Sequence, residues 1–398
     1  MSTVRSPLRF TVLLAGLAML GPFSIDAYLP AFPAIAESFQ TTAMQVQQSL
    51  SVYLLSFGAM LLWYGALSDA LGRKPVIVGA MVIFVLGSIG CYLSDSIGEF
   101  LFYRGMQGFA SGAGVAIGRA MIRDIHSGPE AQRQMSYVTM LFALGPAIAP
   151  VIGGQLFRWF GWKSIFFFLV VYSGLILLAC ILVLPETLAR DRRQSLRPMS
   201  LLGNYHRVLR RAEFQLLAGT IAMNFAALML YVGAAPNLVL EHLQVGPESF
   251  AIFFVPVVSG IFLGSLLSGR FAGKVAPERM VAFGYALMFS AAFSNILYHS
   301  IWPAQLPWSI LPLTLHTFGM SMAMPNITLK ILDLFPMIRG LVSSLQSFTQ
   351  VTLNGMVVGL LAPLLYHSPL FLALAHGVFV ILGFSAWMAY LRGYRSTA

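Results

Sequence analysis

The stretch FTVLLAGLAMLGPFSIDAYLP, residues 10–30, decides the class of fold. As a helix it is long enough to cross the roughly 30 Å hydrocarbon core of a bilayer, and its only charged residue is Asp26. An ionised carboxylate inside a transmembrane helix costs about 2.5–3.5 kcal/mol on insertion scales. The stretch therefore predicts a membrane span, and Asp26 raises the question of what the acid is for.

The rest of the chain repeats this pattern. Of its 398 residues, 58% are hydrophobic and only 10% are charged, whereas about 25% are charged in a soluble domain. Apolar windows of about 20 residues recur and predict an all-α membrane protein with twelve transmembrane helices. The alternative for the first window, a cleaved secretory signal, is disfavoured by its length. The windows are 8–30, 45–67, 75–94, 98–120, 133–157, 162–184, 213–236, 249–269, 280–299, 306–329, 340–365 and 369–391.

The positions of the positive charges predict the orientation. All but Arg104, Arg158 and Lys163 of the 24 lysines and arginines fall in segments that share one side if both termini are cytoplasmic. The net charge of +10 is therefore a topology signal, and we expect no nucleic acid partner. We expect a monomeric, multi-pass protein of the bacterial inner (cytoplasmic) membrane, in contact with the lipid bilayer.

The loops divide the chain into two six-helix halves. These are residues 1–184 and 213–398, joined by a basic cytoplasmic linker at 185–212. A faint repeat supports the division, because LSDALGRKP at 67–75 has an echo in LSGRFAGKVAP at 267–277. Two parallel halves around a central cavity are typical of a transporter.

Ionisable residues inside spans indicate a functional site. Asp26, Arg104 and His316 are such residues. Counting 1.5 Å per residue puts Asp26 about 24 Å into the core and Arg104 roughly 9 Å below the outer face, so both could lie in one polar layer. An acid that is both desolvated and near a cation could act as a proton switch. The alternatives are a fixed structural Asp26–Arg104 pair and, for His316, a hydrogen bond between spans.

Aromatic and polar residues near the middle of spans could line a substrate cavity. Core packing for the aromatic side chains, and interhelical hydrogen bonding for the polar ones, are the alternatives. The candidates are Tyr28, Tyr53, Phe57, Tyr137, Phe142, Tyr231, Phe253, Phe254, His316, Asn326 and Gln346.

Span 5 carries Pro146, Pro150 and Gly154 at a spacing of four residues, which puts them on one helix face. That face lacks two amide donors and allows close approach, so it predicts either a gating hinge or a packed seam. The glycine-rich GAGVAIG at 112–118 lies in an apolar helix without a preceding strand, so it is not a dinucleotide site. We find no hydrolase, nucleotide-binding or metal-ligand motif, and we expect no enzyme activity.

The motifs, in this order, resemble the major facilitator superfamily, and more closely its drug:proton antiporters of the bicyclomycin/chloramphenicol-resistance (Bcr/CflA) type. IDAYLPAFP at 25–33 resembles the span-1 signature, whose acid is Asp26 by position. GALSDALGRKP, FLFYRGMQG with GRAMIRD, and LFALGPAIAPVIGG resemble the loop 2–3, span-4 and span-5 antiporter motifs. The residues concerned are Gly65, Asp69, Gly72, Arg73 and Lys74; Arg104, Gln107, Gly108, Arg119, Arg123 and Asp124; and Gly145, Pro146, Pro150, Gly153 and Gly154.

The resemblance implies proton-coupled multidrug efflux by alternating access, which would confer antibiotic resistance. It implies Asp26 and Arg104 in proton coupling, a cytoplasmic gate of Asp69, Arg73 and Arg119, small amphiphilic drug-like substrates, and no cofactor besides the coupling proton. Ala66 and Ala70 depart from the loop motif, and no second acid lies deep in span 1. Two alternatives stay open: export of a native metabolite such as a siderophore, amino acid or peptide, and a scaffold that does not transport.

Overall fold

The chain forms two compact units, Met1–Pro198 and Met199–Ala398, in a computed structural model that describes residues 7–126, 128–193 and 198–394. Within these ranges the regular structure is helical and there is no strand. The division between the units falls inside the predicted linker, and the finer boundaries of the halves stay predictions. The first unit contains α1 (Pro7–Asp26), α2 (Phe32–Ser38), α3 (Ala43–Leu71), α4 (Arg73–Leu93), α5 (Ile97–Ile125), α6 (Gly128–Phe160) and α7 (Lys163–Leu182).

The second unit begins with a short amphipathic helix and continues with long apolar ones. Its helices are α8 (Pro198–Leu209), α9 (Ala212–Pro236), α10 (Ala251–Phe271), α11 (Pro277–Ile301), α12 (Leu311–Asp333), α13 (Arg339–Met356), α14 (Ala362–Leu365) and α15 (Pro369–Tyr394). The π-helical segments Asn237–His242 and Val357–Leu361 extend α9 and connect α13 to α14.

Nine of the described helical segments are long and apolar enough to cross a membrane. Long helices α5, α6 and α12 coincide with the other predicted spans but are not among these nine. In α5, Arg104 in the first third of the helix and a series of glycines lower the hydropathy. Large apolar side chains cover the outside of the helices, including Phe293 at 69% and Leu175 at 62% exposure. Such extensive exposed apolar surface fits lipid as the solvent.

Capping residues fix where several helices begin. Thr42 accepts a hydrogen bond from the backbone of Gln45 at the start of α3, and Ser96 accepts one from Glu99 at the start of α5, both at 3.3 Å. A side-chain oxygen at this position satisfies an amide that the first helical turn leaves without a partner. These two polar residues therefore stabilise the first turns of α3 and α5 and fix where each helix begins.

The connecting helix α8 lies outside the candidate membrane spans and buries only one of its faces. Tyr205 and Val208 are buried, whereas Met199 and Leu202 are exposed. Burial raises the pKa of Tyr205 to about 12, so its hydroxyl stays neutral throughout the physiological range.

Candidate functional site

The charge of Arg104, in the first third of α5, is fully buried. Its Nη1 donates hydrogen bonds to Ser24 Oγ at 2.9 Å and to Gln107 Oε1 at 2.6 Å. Its guanidinium carbon lies 4.3 Å from the ring centroid of Tyr28 and 4.6 Å from that of Tyr53. Aromatic faces within about 6 Å attract a cation, and the attraction strengthens where water is excluded. The guanidinium is thus held by neutral groups.

The polar cluster around Arg104 continues into α4. Gln107 Nε2 donates to Ser88 Oγ at 2.8 Å, and Ser88 in turn donates to the carbonyl of Phe84. Two guanidinium nitrogens of Arg104, Nε and Nη2, have no hydrogen-bond acceptor, and the hydroxyl of Tyr53 has no partner. Buried polar groups without partners are uncommon, because each one loses its hydration without compensation. The cluster therefore has unused capacity to bind an acceptor.

Asp26 is the last residue of α1, and only 5% of its surface is exposed. In the described part of the chain it forms no ion pair and no hydrogen bond, so it is not paired with Arg104 here. Ser24 of α1 contacts Arg104, and a step of two residues is about 200° around a helix, which points Asp26 to the opposite face. Asp26 and Arg104 share a level of the unit without touching.

The end of α1 packs against α6 with no space for a side chain between them. A Cβ atom on Gly153 would overlap the backbone carbonyl of Ala27, the residue that follows Asp26. A Cβ atom on Gly145 would lie 2.6 Å from Cβ of Pro22. The α6 helix continues through Pro146 and Pro150. The residues of the antiporter motif therefore form a close contact with the segment that carries Asp26, and a gating role for them stays a prediction.

A second polar network, called here the Arg73 network, lies at the other end of the same unit. Arg73 pairs with Asp69 at 2.6 Å and with Asp124 at 3.1 Å, and it donates to Ser68 Oγ at 2.6 Å. Thr187 Oγ1 donates to the same Asp124 at 2.8 Å. The network joins the α3–α4 loop to the end of α5 and to the segment after α7.

Gly72 and Glu186 determine how α4 begins. Gly72 has φ of 105°, a left-handed conformation that favours glycine, and a Cβ atom there would lie 2.5 Å from Glu186 Oε2. The Glu186 carboxylate accepts the first backbone amides of α4, from Arg73 at 3.0 Å and Lys74 at 3.3 Å. Lys74 Nζ donates to the carbonyl of Ile181. A carboxylate at this end of a helix satisfies free amides and complements the helix dipole.

Replacing Glu186 with alanine removes this cap and is expected to lower the free energy of unfolding by about 1 kcal/mol. The measurement is denaturant unfolding of the purified protein in micelles, followed by circular dichroism. Glu37→Ala is the matched control, since Glu37 is exposed on α2. If the Glu186 and Glu37 variants unfold at the same denaturant concentration, the capping role is refuted.

The other residues predicted for the gate and the span-4 motif occupy varied positions. Arg119 is exposed on α5 and takes no part in the Arg73 network, and Gly65 is exposed on α3. Gly108 lies directly against the backbone carbonyl of Tyr53, where α3 and α5 cross. Gly154 is buried next to Gly153.

The predicted cavity residues divide into a buried set and a more accessible set. Tyr28, Tyr53, Tyr231, Phe253, Phe254, His316 and Gln346 are buried in their own units, whereas Phe57 and Asn326 are partly buried and Tyr137 is 38% exposed. Asn326 Nδ2 donates to the carbonyl of Met322, and Gln346 Nε2 lies 3.4 Å from Thr328 Oγ1. The side chain of Phe142 lies outside the described residues.

Some residues of these clusters were missed by sequence reasoning. Ser24 and Ser88 are small polar residues inside apolar runs, a weak signal. Glu186 gave a clearer one, because it is an acid directly after an apolar span. His376 lies inside the predicted window 369–391 and could have been found by extending the search for ionisable residues to every span. It is fully buried, and its ring centroid is 4.6 Å from that of His316.

The comparisons with known proteins agree with this geometry. The family model of the Major Facilitator Superfamily matches residues 14–358. The chain is 30% identical to the bicyclomycin resistance protein homolog of Haemophilus influenzae over 75% of each chain. It is 25% identical to multidrug resistance protein D of Escherichia coli, over 89% of this chain and 88% of the relative. The crystal structure of a D-xylose-proton symporter superposes with a TM-score of 0.75 at 15% identity, covering 96% of this chain and 97% of that one.

The symporter likeness shows the fold alone, whereas the family match and the Haemophilus influenzae relative show the family. The resemblance to bicyclomycin-resistance transporters is therefore confirmed, as is the prediction of a transporter and not an enzyme. The all-helical architecture, the exposed apolar surface and the motif residues at α1, α5 and α6 belong to one membrane-embedded scaffold. The chain is a multi-pass membrane protein of the Major Facilitator Superfamily.

Proposed function

We propose that the protein exports small amphiphilic drug-like molecules across the bacterial inner membrane in exchange for protons, with Asp26 as the coupling acid. The observation that carries the proposal is the position of Asp26, buried and unpaired beside the close α1–α6 contact. The names of the relatives, a bicyclomycin resistance protein homolog and a multidrug resistance protein, support drugs as the cargo.

The environment of Asp26 explains how one group could couple two movements. Burying an unpaired carboxylate is unfavourable, so the neutral acid suits the packed conformation. Loss of the proton would place a charge at the α1–α6 contact and favour a rearrangement that hydrates or pairs it. Drug and proton then compete for one transporter: protonation from the outside releases the drug, and release of the proton to the cytoplasm restores the form that captures it.

Arg104 is the available partner for the ionised form of Asp26. Its Nε and Nη2 atoms have no acceptor, and it contacts the residues two before and two after Asp26. A rotation of the end of α1 would bring the carboxylate toward this cation. The proposed cycle therefore alternates between an unpaired neutral acid and an acid that interacts with Arg104.

The Arg73 network supplies the cytoplasmic end of the proposed mechanism. The distribution of positive charges predicts that both termini are cytoplasmic, and the α3–α4 loop would then lie on the same side. Asp69, Arg73 and Asp124 would then stabilise one arrangement of the cytoplasmic ends of α3, α4 and α5. Alternating access by twelve spans, acting as a monomer, completes the proposal.

The proposal is tested by expressing the protein in a drug-sensitised bacterial host and measuring growth across a panel of neutral, zwitterionic and cationic drugs. The expected result is increased resistance to several amphiphilic compounds, which disappears with Asp26→Asn at equal protein level. Export of a siderophore, amino acid or peptide is the alternative, and it predicts no protection by either form. Unchanged sensitivity to the whole panel at confirmed membrane expression would refute drug export.

A further inference from the structure

The second unit contains a buried histidine pair that the proposed Asp26 mechanism does not use. His316 lies on α12 and His376 on α15, and neither has any exposed surface. Their ring centroids are 4.6 Å apart and the rings cross at 71°. At this separation a small ring rotation brings one nitrogen of each imidazole within hydrogen-bonding distance. The pair is thus a compact titratable unit on two different helices.

Residues of α9 contact the pair, and polar side chains of α11 contact those residues in turn. His316 Nε2 lies 3.2 Å from the backbone oxygen of Asn224, and the ring of Tyr231 packs edge-on against His376. Asn295 Nδ2 donates to the Tyr231 hydroxyl at 2.7 Å, and Asn224 Nδ2 donates to Tyr285 Oη at 2.8 Å. These four helices therefore meet in a polar cluster within an otherwise apolar unit.

Hydrogen-bond accounting shows an excess of acceptors in this cluster. Because His316 Nε2 faces a carbonyl oxygen, it carries the ring proton, which makes His316 Nδ1 an acceptor. In addition to His316 Nδ1, four buried atoms have no hydrogen-bond partner. They are both ring nitrogens of His376 and the side-chain oxygens of Asn224 and Asn295. In a neutral His376 only one of its two nitrogens is a donor. One more proton would convert an unused acceptor into a donor between the two rings.

We propose that His316 and His376 form a proton-binding site in the Met199–Ala398 unit, in which one proton is shared between His316 Nδ1 and a ring nitrogen of His376. The titratable side chain in contact with the pair from the helices packed against it is Tyr231 of α9, and Tyr285 of α11 lies behind Asn224, whose amide donates to it. In the described part of the chain no carboxylate, lysine or arginine pairs with either histidine. The shared proton is therefore the positive charge of the cluster, next to the backbone oxygen of Asn224 that accepts from His316 Nε2.

The site is separate from Asp26, since the two lie in different units. In a transporter driven by protons it adds a second group that can carry a proton through the cycle. That consequence rests on the proposed antiport, whereas binding of the proton does not. The experiment is therefore a proton count that needs no drug.

The test measures proton uptake by the purified full chain in weakly buffered detergent as the pH is lowered from about 8 to about 4, the range in which histidines titrate. The double variant His316→Gln/His376→Gln is expected to take up one proton fewer than the parent. The remaining histidines are the same in both proteins and contribute equally to the uptake. His206→Gln, which removes an exposed histidine of α8, is the control for the loss of a histidine outside the pair. Asp26→Asn is expected to keep the uptake that depends on the pair, which separates this site from the proposed coupling acid.

A second measurement covers the case in which the double variant does not fold. The parent protein, labelled with ¹⁵N in its histidine rings, is titrated by nuclear magnetic resonance. The proposal expects two of the seven histidines to change their ring shifts together, as one shared proton requires. Equal proton uptake by the parent and the double variant would overturn the proposal. It would also be overturned if the ¹⁵N shifts of the His316 and His376 rings stayed those of neutral imidazole throughout the titration.

Discussion

Asp26→Asn is expected to abolish proton-driven drug export in proteoliposomes while leaving drug exchange down a concentration gradient measurable. Asparagine has nearly the shape of the neutral acid, so the contact between α1 and α6 stays intact. Because asparagine can neither release nor take up a proton, drug transport is no longer coupled to the proton gradient. The variant should therefore uncouple the transporter without unfolding it.

The size of the expected effect follows from the driving force. One proton entering down a potential of about 100 mV supplies about 2.3 kcal/mol, enough for roughly 50-fold accumulation of a neutral drug. Asp26→Asn should reduce this ratio to about one, the value for facilitated diffusion. The measurement is drug accumulation in vesicles with an imposed potential and no other gradient.

Asp95→Asn provides the matched control for the loss of an acid. Asp95 is exposed between α4 and α5 and pairs only loosely with Lys163, at 3.5 Å. This variant should accumulate drug as the parent does. If Asp95→Asn and Asp26→Asn have the same effect, the loss reports a general consequence of removing negative charge, and Asp26 has no special role.

Gly153→Ala is expected to have the largest effect on folding among the motif residues. Its Cβ atom would overlap the carbonyl of Ala27, and a backbone group cannot move aside as a flexible side chain can. Overpacking in a core costs about 1–3 kcal/mol. We expect a lower yield of monodisperse protein and, in the protein that does fold, a displaced end of α1 and impaired export.

Gly174→Ala controls for the loss of a helical glycine. Gly174 lies in α7, and a Cβ atom there would contact nothing within 4 Å. This variant should match the parent in yield by size-exclusion chromatography and in export per molecule. Normal yield and export by Gly153→Ala as well would contradict the close α1–α6 contact.

Hydropathy predicted the long helices well, because lipid imposes length and apolarity on each span independently of its neighbours. The window 75–94 became Arg73–Leu93, and 369–391 became Pro369–Tyr394. Prolines account for the clearer differences. In the first window, α1 ends at Asp26, and α2 follows only beyond Pro30. In the window 306–329, the helix α12 begins at Leu311, after Pro303 and Pro307.

The candidate site was harder to predict, because sequence spacing gives depth along a helix but not which face meets which neighbour. Counting residues along each span predicted that Asp26 and Arg104 lie at one level of the membrane. The hydrogen bond between Arg104 and Ser24 is consistent with this level. The rotation that points Asp26 away from Arg104 depends on how α1 packs against α6. The histidine pair likewise depends on the packing of α12 against α15, which no local pattern encodes.

The central claim, that drug and proton compete through Asp26, is tested most directly by adding a transported drug to purified protein in weakly buffered detergent. A pH-sensitive dye follows the protons released. The account predicts that the parent releases protons in proportion to the drug bound, and that Asp26→Asn binds the drug without this release. Equal proton release by the parent and by Asp26→Asn would contradict the account.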